Sequence, residues 1–168
     1  MVLGESYIWM KSYLSDRSFT IKIKDCSSVE KLIIATGVPQ GSILGPKLFV
    51  LYVNDIKSCF KNCKHFMFAD DLLILSIHRD FGKATKNLQR EFTNFQYWAH
   101  DKQLTINRRK TVIMHINSPQ SKEIFRVKIK MHGLQCLHDS SSSKDFCHCS
   151  NFLDQVSHYK HLGLFFFL

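Results

Sequence analysis

The chain has 168 residues, 45% of them hydrophobic and 22% charged, which is enough apolar side chain for one core of ordinary size. Lysine and arginine number 23 against 14 acids, a formal +9 spread along the chain, and this excess points to a polyanionic partner, nucleic acid first. No run approaches the ~20 apolar residues of a membrane helix and the first residues lack the blocks of a signal peptide, so an intracellular protein off the membrane is expected. Its six cysteines then read as thiols rather than a disulfide framework.

Tyr7, Met10 and Leu14 fall at helical spacing within Glu5 to Leu14, and SDRS ends the pattern. Phe19, Ile21 and Ile23 alternate with Thr20, Lys22 and Lys24, and after DCSS the β-branched run Lys31 to Ala35 completes a predicted hairpin with a lysine face. GVPQGSILGP, with Gly37, Gly41, Gly45, Pro39 and Pro46, is too punctuated for regular structure until Pro46 permits a helix, expected over Lys47 to Phe60. Lys64 to Ile77 is strand-like on both sides of Asp70 and Asp71, which predicts a tight hairpin with the carboxylates at its tip. Leu88, Phe92, Phe95 and Ala99, with Trp98 beside them, mark one face of a helix from Ala84 to His100.

Leu104 and Ile106, then Val112, Met114 and Ile116, predict short strands around NRRKT. Phe125, Val127, Ile129 and Met131 alternate with Arg126, Lys128 and Lys130, a half-exposed strand with a basic face. After Gly133 the chain turns irregular, with serines 140–143 and a Cys/His cluster, and Tyr159 to Phe167 closes it as strand. GLFFFL reads as a strand cut in mid-course, and both ends are expected to be truncations. The order of elements predicts an α+β fold, an antiparallel sheet of hairpins packed on helices.

The stretch HFMFADDLLIL raises the functional question, because two adjacent acids break an otherwise apolar run. At a rigid hairpin tip both carboxylates can face one solvent pocket, and hard oxygen ligands there suit Mg²⁺, which takes one or two carboxylates plus water and substrate phosphate. Two-metal phosphoryl transfer needs such ligands. Alone, the pair reads first as an ordinary acidic turn.

Four stretches in order, GVPQGSILGPKLFVLYVNDI, FMFADDLLIL, WAHDKQLTINRRKTVIM and YKHLGLFF, resemble successive palm motifs of reverse transcriptases, most closely those of non-LTR (LINE-type, Jockey-like) retrotransposons. YIWMKSYLSDRSFTIKI resembles the segment that precedes the PQG motif there. The resemblance implies that Asp70 and Asp71 are the catalytic pair and bind Mg²⁺ or Mn²⁺, the first more firmly, with Phe68 and Ala69 completing the motif. It places Pro39, Gln40, Gly41 and Ser42 at the nucleotide pocket and template, Lys110 near the departing pyrophosphate, and Leu162 and Gly163 in the primer grip. RNA template, DNA primer and deoxynucleoside triphosphates are the implied partners.

By the same resemblance the 168 residues form one partial domain: 1–36 before the PQG motif, 37–117 the central motifs, 118–157 a basic strand and insertion, and 158–168 the start of the primer grip. Family members carry a further aspartate within a pattern like DFxKAFD, and no such pattern occurs in these residues. The expectation is therefore a partial palm lacking fingers, first catalytic strand and thumb, and inactive alone. Two other readings stay open. Basic strand faces (Lys22, Lys24, Arg126, Lys128, Lys130) suit a non-catalytic nucleic-acid-binding relic, and Cys136, His138, Cys147, His148 and Cys149 offer zinc ligands at unusual spacing. The latter cluster reads first as an ordinary insertion loop, and Cys59 and Cys63 read as packing or exposed thiols.

Overall fold

A computed structural model describes residues 4–28, 32–34, 36–116, 125–133, 151–161 and 164–167. They belong to two units, Met1–Val53 and Asn54–Leu168.

In the first unit, α1 (Glu5–Leu14) forms as the spacing predicts, with Trp9 stacked on Tyr13 one turn later at 5.5 Å. The predicted hairpin is present but divided into two ladders. β1 (Arg17–Phe19) pairs antiparallel with β4 (Leu32–Ile34), while β2 (Lys22–Ile23) and β3 (Cys26–Ser27) pair within that loop. α2 (Gly45–Tyr52) starts with Pro46 in its first turn, where the missing N–H costs nothing.

The predicted helix from Lys47 to Phe60 does not run through. α2 ends at Tyr52, and the second unit opens with a 3₁₀ helix, Asn54–Cys59. Its three-residue period sets Ile56 directly over Cys59, and both are buried with Phe60 in a cluster that Met67, Leu72, Ile74, Phe95 and Trp98 pack against.

β5 (Lys64–Phe68) and β6 (Asp71–Leu75) form the predicted antiparallel hairpin, in register from Lys64 opposite Leu75 to Phe68 opposite Asp71. α3 (Phe81–Asp101) starts three residues earlier than the apolar spacing suggests, because Asp80 caps it by accepting from the Lys83 N–H at 2.7 Å. It ends in a Schellman motif, with Leu104 N donating to Ala99 O and Gln103 N to His100 O while Gln103 takes a positive φ of 55°. Leu104 and Ile106, predicted as a strand, follow this hooked ending and lie in no ladder among the described residues.

β7 (Val112–Met114) pairs in parallel with β8 (Asp154–Val156), which corrects the expectation of hairpins throughout. The predicted basic strand, residues 125–133, is extended with Val127 and Ile129 buried, yet among the described residues only the Lys130–Phe152 bridge joins it to a neighbour as a strand pair. Side-chain amides take the place of the missing ladder. Gln89 of α3 accepts from Lys130 N at 2.6 Å and donates to Lys130 O at 3.1 Å, and Gln155 does the same for Val127 N and Phe125 O at 2.8 and 3.0 Å. The closing strand is in fact a hairpin of β9 (His158–His161) and β10 (Leu164–Phe167).

Among the described residues the strands thus form five separate two-stranded ladders rather than one sheet. The core of the second unit joins Phe92 of α3 to Ile113, Val127, Ile129 and Leu153.

Candidate active site

The β5–β6 hairpin has two unlike faces. Met67, Leu72 and Ile74 turn toward the core, whereas Phe66 and Phe68 are 53% and 64% exposed. Ala69 and Asp70 make the two-residue connection, and Asp71 opens β6 directly across from Phe68. Opposed residues share a face, so Asp71 stands beside Phe68 on the solvent side, with Asp70 at the apex. Both carboxylates are exposed. The turn requires a positive φ at its first central position, and Ala69 supplies it at 52°, a conformation that costs an L-residue roughly 1–2 kcal/mol.

What fixes the root of this hairpin is Glu91, only 1% exposed, on α3. Its Oε1 accepts from Asn62 N at 2.5 Å and from Asn62 Nδ2 at 3.0 Å, and its Oε2 from Cys63 N at 2.8 Å, immediately before β5 begins. Burial alone pushes the Glu91 carboxyl up, but the donors from Asn62 and Cys63 outweigh it and hold the acid below its ordinary value.

In the first unit, the loop from Gly37 to Leu44 is built around a turn in which Ser42 N donates to Pro39 O at 3.3 Å. Gly41 sits at the third position with φ 80°, as a type II turn demands. Ser42 Oγ then accepts from Gly45 N at 3.0 Å, tying the loop to the start of α2. A Cβ on Gly45 would lie 2.9 Å from Ser42 Oγ and 3.3 Å from Val38 Cγ2, so a side chain there would have to displace the Ser42 hydroxyl. Arg17 holds the loop's entry by donating to the carbonyls of Gly37 at 2.6 Å and Leu14 at 3.0 Å.

A turn of two adjacent aspartates beyond a Pro-Gln-Gly-Ser loop is the pattern expected of a nucleotide polymerase, and the family model for reverse transcriptase (RNA-dependent DNA polymerase) matches residues 2–164. The chain belongs to the reverse transcriptase family. It is 32% identical over 111 residues to the RNA-directed DNA polymerase from mobile element jockey of Drosophila melanogaster, covering 62% of this chain and 12% of that protein. The probable RNA-directed DNA polymerases from transposon BS and transposon X-element of the same fly are 31% and 34% identical over 112 and 106 residues, each match covering 61% of this chain and 12% of the relative. The chain therefore spans about an eighth of the length of these relatives, and the expected likeness to the Jockey-like group is met. No solved structure matches it. Mixed helices and small sheets are consistent with part of a reverse transcriptase domain.

Of the residues expected to serve a reverse transcriptase, Phe68, Ala69, Asp70 and Asp71 come together at one tip. Pro39, Gln40, Gly41 and Ser42 share one turn in the other unit. Lys110 closes a separate turn, exposed, its N–H donating to Asn107 O at 3.1 Å just before β7. Leu162 and Gly163, and all five residues of the Cys/His cluster, lie outside the described residues. Among the described residues, no group of three or more His, Cys, Asp or Glu side chains is gathered to hold a metal ion, and no helix is long and apolar enough to cross a membrane. Asp70 and Asp71 do provide the one or two carboxylates that Mg²⁺ asks of a protein.

Cys59 and Cys63 are both buried, which settles them as packing residues. Burial raises both thiols, that of Cys63 to about 11, far from a reactive thiolate. Pattern reading missed Glu91 and Arg17. A signal existed for Glu91, which lies three residues after Leu88 and four before Phe95, on the apolar stripe itself. Arg17 lay within the SDRS break, and nothing there marked it.

Proposed function

We propose that this chain is the central part of a reverse transcriptase palm from a non-LTR mobile element. Residues 37–117 carry its central motifs, and the fingers, first catalytic strand and thumb lie outside these 168 residues. The observation that carries the reading is the Phe68–Asp71 tip, two exposed carboxylates on a core-anchored hairpin, in a chain matched by the family over residues 2–164. Asp70 and Asp71 hold Mg²⁺ or Mn²⁺, the first as the firmer ligand. A divalent metal held there would supply Lewis acidity for nucleotidyl transfer.

Phe68 and, in the other unit, the Pro39–Ser42 turn bind nucleotide and template, and the glycines let backbone approach the substrate closely. Lys110 presents a cation, or a proton, to the departing pyrophosphate. Leu162 and Gly163 grip the primer end. The intact protein copies an RNA template from a DNA primer with deoxynucleoside triphosphates. Because the DFxKAFD-like pattern does not occur here, a third carboxylate has to come from outside these residues, and the chain alone does not polymerise.

Primer extension tests both parts. The 168-residue chain with RNA template, DNA primer, nucleotides and Mg²⁺ gives no product, whereas a longer in-frame polypeptide that includes the upstream aspartate extends the primer. Asp70→Asn in that longer protein cuts the rate roughly 10³-fold or more, the worth of several kcal/mol of metal-based stabilisation. Extension by the short chain would overturn its incompleteness, and an unaffected Asp70→Asn would overturn the site. A second reading, nucleic-acid binding without catalysis, is favoured by the exposed Arg126 and Lys128.

A further inference from the structure

The 125–133 segment and the residues leading into β8 build a surface that the palm motifs do not use. Lys130 and Phe152 form an antiparallel bridge flanked by Met131 N donating to Asn151 O at 2.8 Å and Leu153 N to Ile129 O at 2.9 Å. In such a non-hydrogen-bonded pair the two side chains stand closest and share a face. Alternation brings Arg126 and Lys128 to that same face, since Val127 and Ile129 between them are buried on the other. Lys128 Nζ lies over the Phe152 ring, 5.9 Å from its centroid, and Phe152 remains 37% exposed.

We propose that this face binds single-stranded nucleic acid, at a site separate from the aspartate tip. The proposal deepens the nucleic-acid reading above and rests on it only for the class of partner. Arg126, Lys128 and Lys130, every second residue of an extended segment, suit a phosphate backbone running along it. Phe152 beside them gives an unstacked base an aromatic plane, the combination by which single strands are held without sequence preference. A duplex buries its base faces and has no use for that ring, which is why the single strand is favoured.

The face is also rigid before any ligand arrives. Its inner side is anchored by Val127 and Ile129 in the core, and its outer edge by the Gln89 amide on Lys130. Asp154, exposed and two residues beyond Phe152 on the same strand face, opposes an anion there. It is the built-in counter-test.

The experiment uses the full chain and a fluorescein-labelled oligouridylate, with anisotropy followed over a series of KCl concentrations. Arg126→Ala/Lys128→Ala weakens binding and lowers the salt slope by about 0.7 for each phosphate no longer neutralised. Phe152→Ala weakens it about 5- to 100-fold with the slope unchanged, and Phe152→Tyr restores it. Asp154→Asn tightens binding, an outcome that no misfolded variant gives. Lys83→Ala/Lys86→Ala, the same charge loss on the exposed side of α3, leaves binding near the parent value.

Equal losses in the two double variants, or no effect of Phe152→Ala, would overturn the proposal. Phosphatidylserine vesicles bound as tightly as the oligonucleotide, and indifferently to Phe152, would do the same and leave a general polyanion surface. None of these readouts depends on polymerisation, so they stand or fall independently of the catalytic reading.

Discussion

Replacing Glu91 with alanine should destabilise the second unit by about 3–5 kcal/mol. Three donors lose their acceptor: Asn62 N, Asn62 Nδ2 and Cys63 N. Asn62 is exposed, so water takes back its two donors at a net loss of roughly 0.5 kcal/mol each, but the buried Cys63 N–H is stranded at roughly 1–3 kcal/mol. The one buried methylene removed adds about 0.8 kcal/mol. Arg90 Nη2, 3.7 Å from Glu91 Oε1 on a half-exposed side chain, adds little. Urea unfolding of the full chain followed by circular dichroism measures the change.

The pH dependence gives an independent readout of the same carboxylate. Because the folded-state pKa is held below the unfolded one, the unfolded chain binds more protons in the interval between them. The stabilisation is therefore complete above the ordinary carboxylate value, near ~4.3, and drains away as pH falls through the folded value. Glu91→Gln flattens that acid limb. A Glu91→Ala loss under about 0.5 kcal/mol, the level of an ordinary surface change, would refute the reasoning, as would an unchanged limb in Glu91→Gln.

Ala69→Gly should stabilise the chain by roughly 0.5–1 kcal/mol, the relief of positive φ less the extra entropy of an unfolded glycine, while Ala69→Val destabilises it; calorimetric Tm values decide the sign. His132 is buried, and burial with the nearby Lys130 charge lowers its pKa, so stability falls as pH drops below the ordinary histidine value near ~6.5. Thr93, Tyr97 and Gln96 face its ring or backbone from α3 and none carries a compensating negative charge, so His132→Gln should reduce that slope in urea titrations between neutral and mildly acid pH. Arg17→Ala should cost only about 1 kcal/mol, because the carbonyls it releases are exposed to water, and limited proteolysis around Gly37 reads the loosened loop.

The parts of the fold that were legible are those whose burial follows a period. α3 declared itself through Leu88, Phe92, Phe95 and Ala99, and the β5–β6 hairpin through apolar runs on both sides of Asp70 and Asp71. Capping moved the helix start, since Asp80 lies outside the apolar stripe that defined it. The alternation over residues 125–131 correctly gave the buried and exposed sides, yet it says nothing of what satisfies the backbone. Gln89 and Gln155 do that with side-chain amides, a role no hydropathy pattern encodes. The parallel pairing of Val112 with Asp154 was equally hidden, because it depends on a long connection rather than on either strand's own sequence.

The candidate site divides along the same line. Its motifs were legible because their carboxylates, prolines and glycines sit together in short stretches of sequence, while the side chains that hold those stretches in place lie elsewhere. Glu91 follows the aspartates by a helix, and Arg17 precedes the Pro39–Ser42 turn by a hairpin. Each is charged and each bonds backbone groups through charge-assisted hydrogen bonds, the stronger kind, so each fixes a chain path, Glu91 holding the Asn62 side chain as well. Their burial differs, and that sets their weight. A motif search finds short runs such as Phe68–Asp71 and Pro39–Ser42, whereas a single acid on an apolar stripe marks where a hairpin tip is fixed from below.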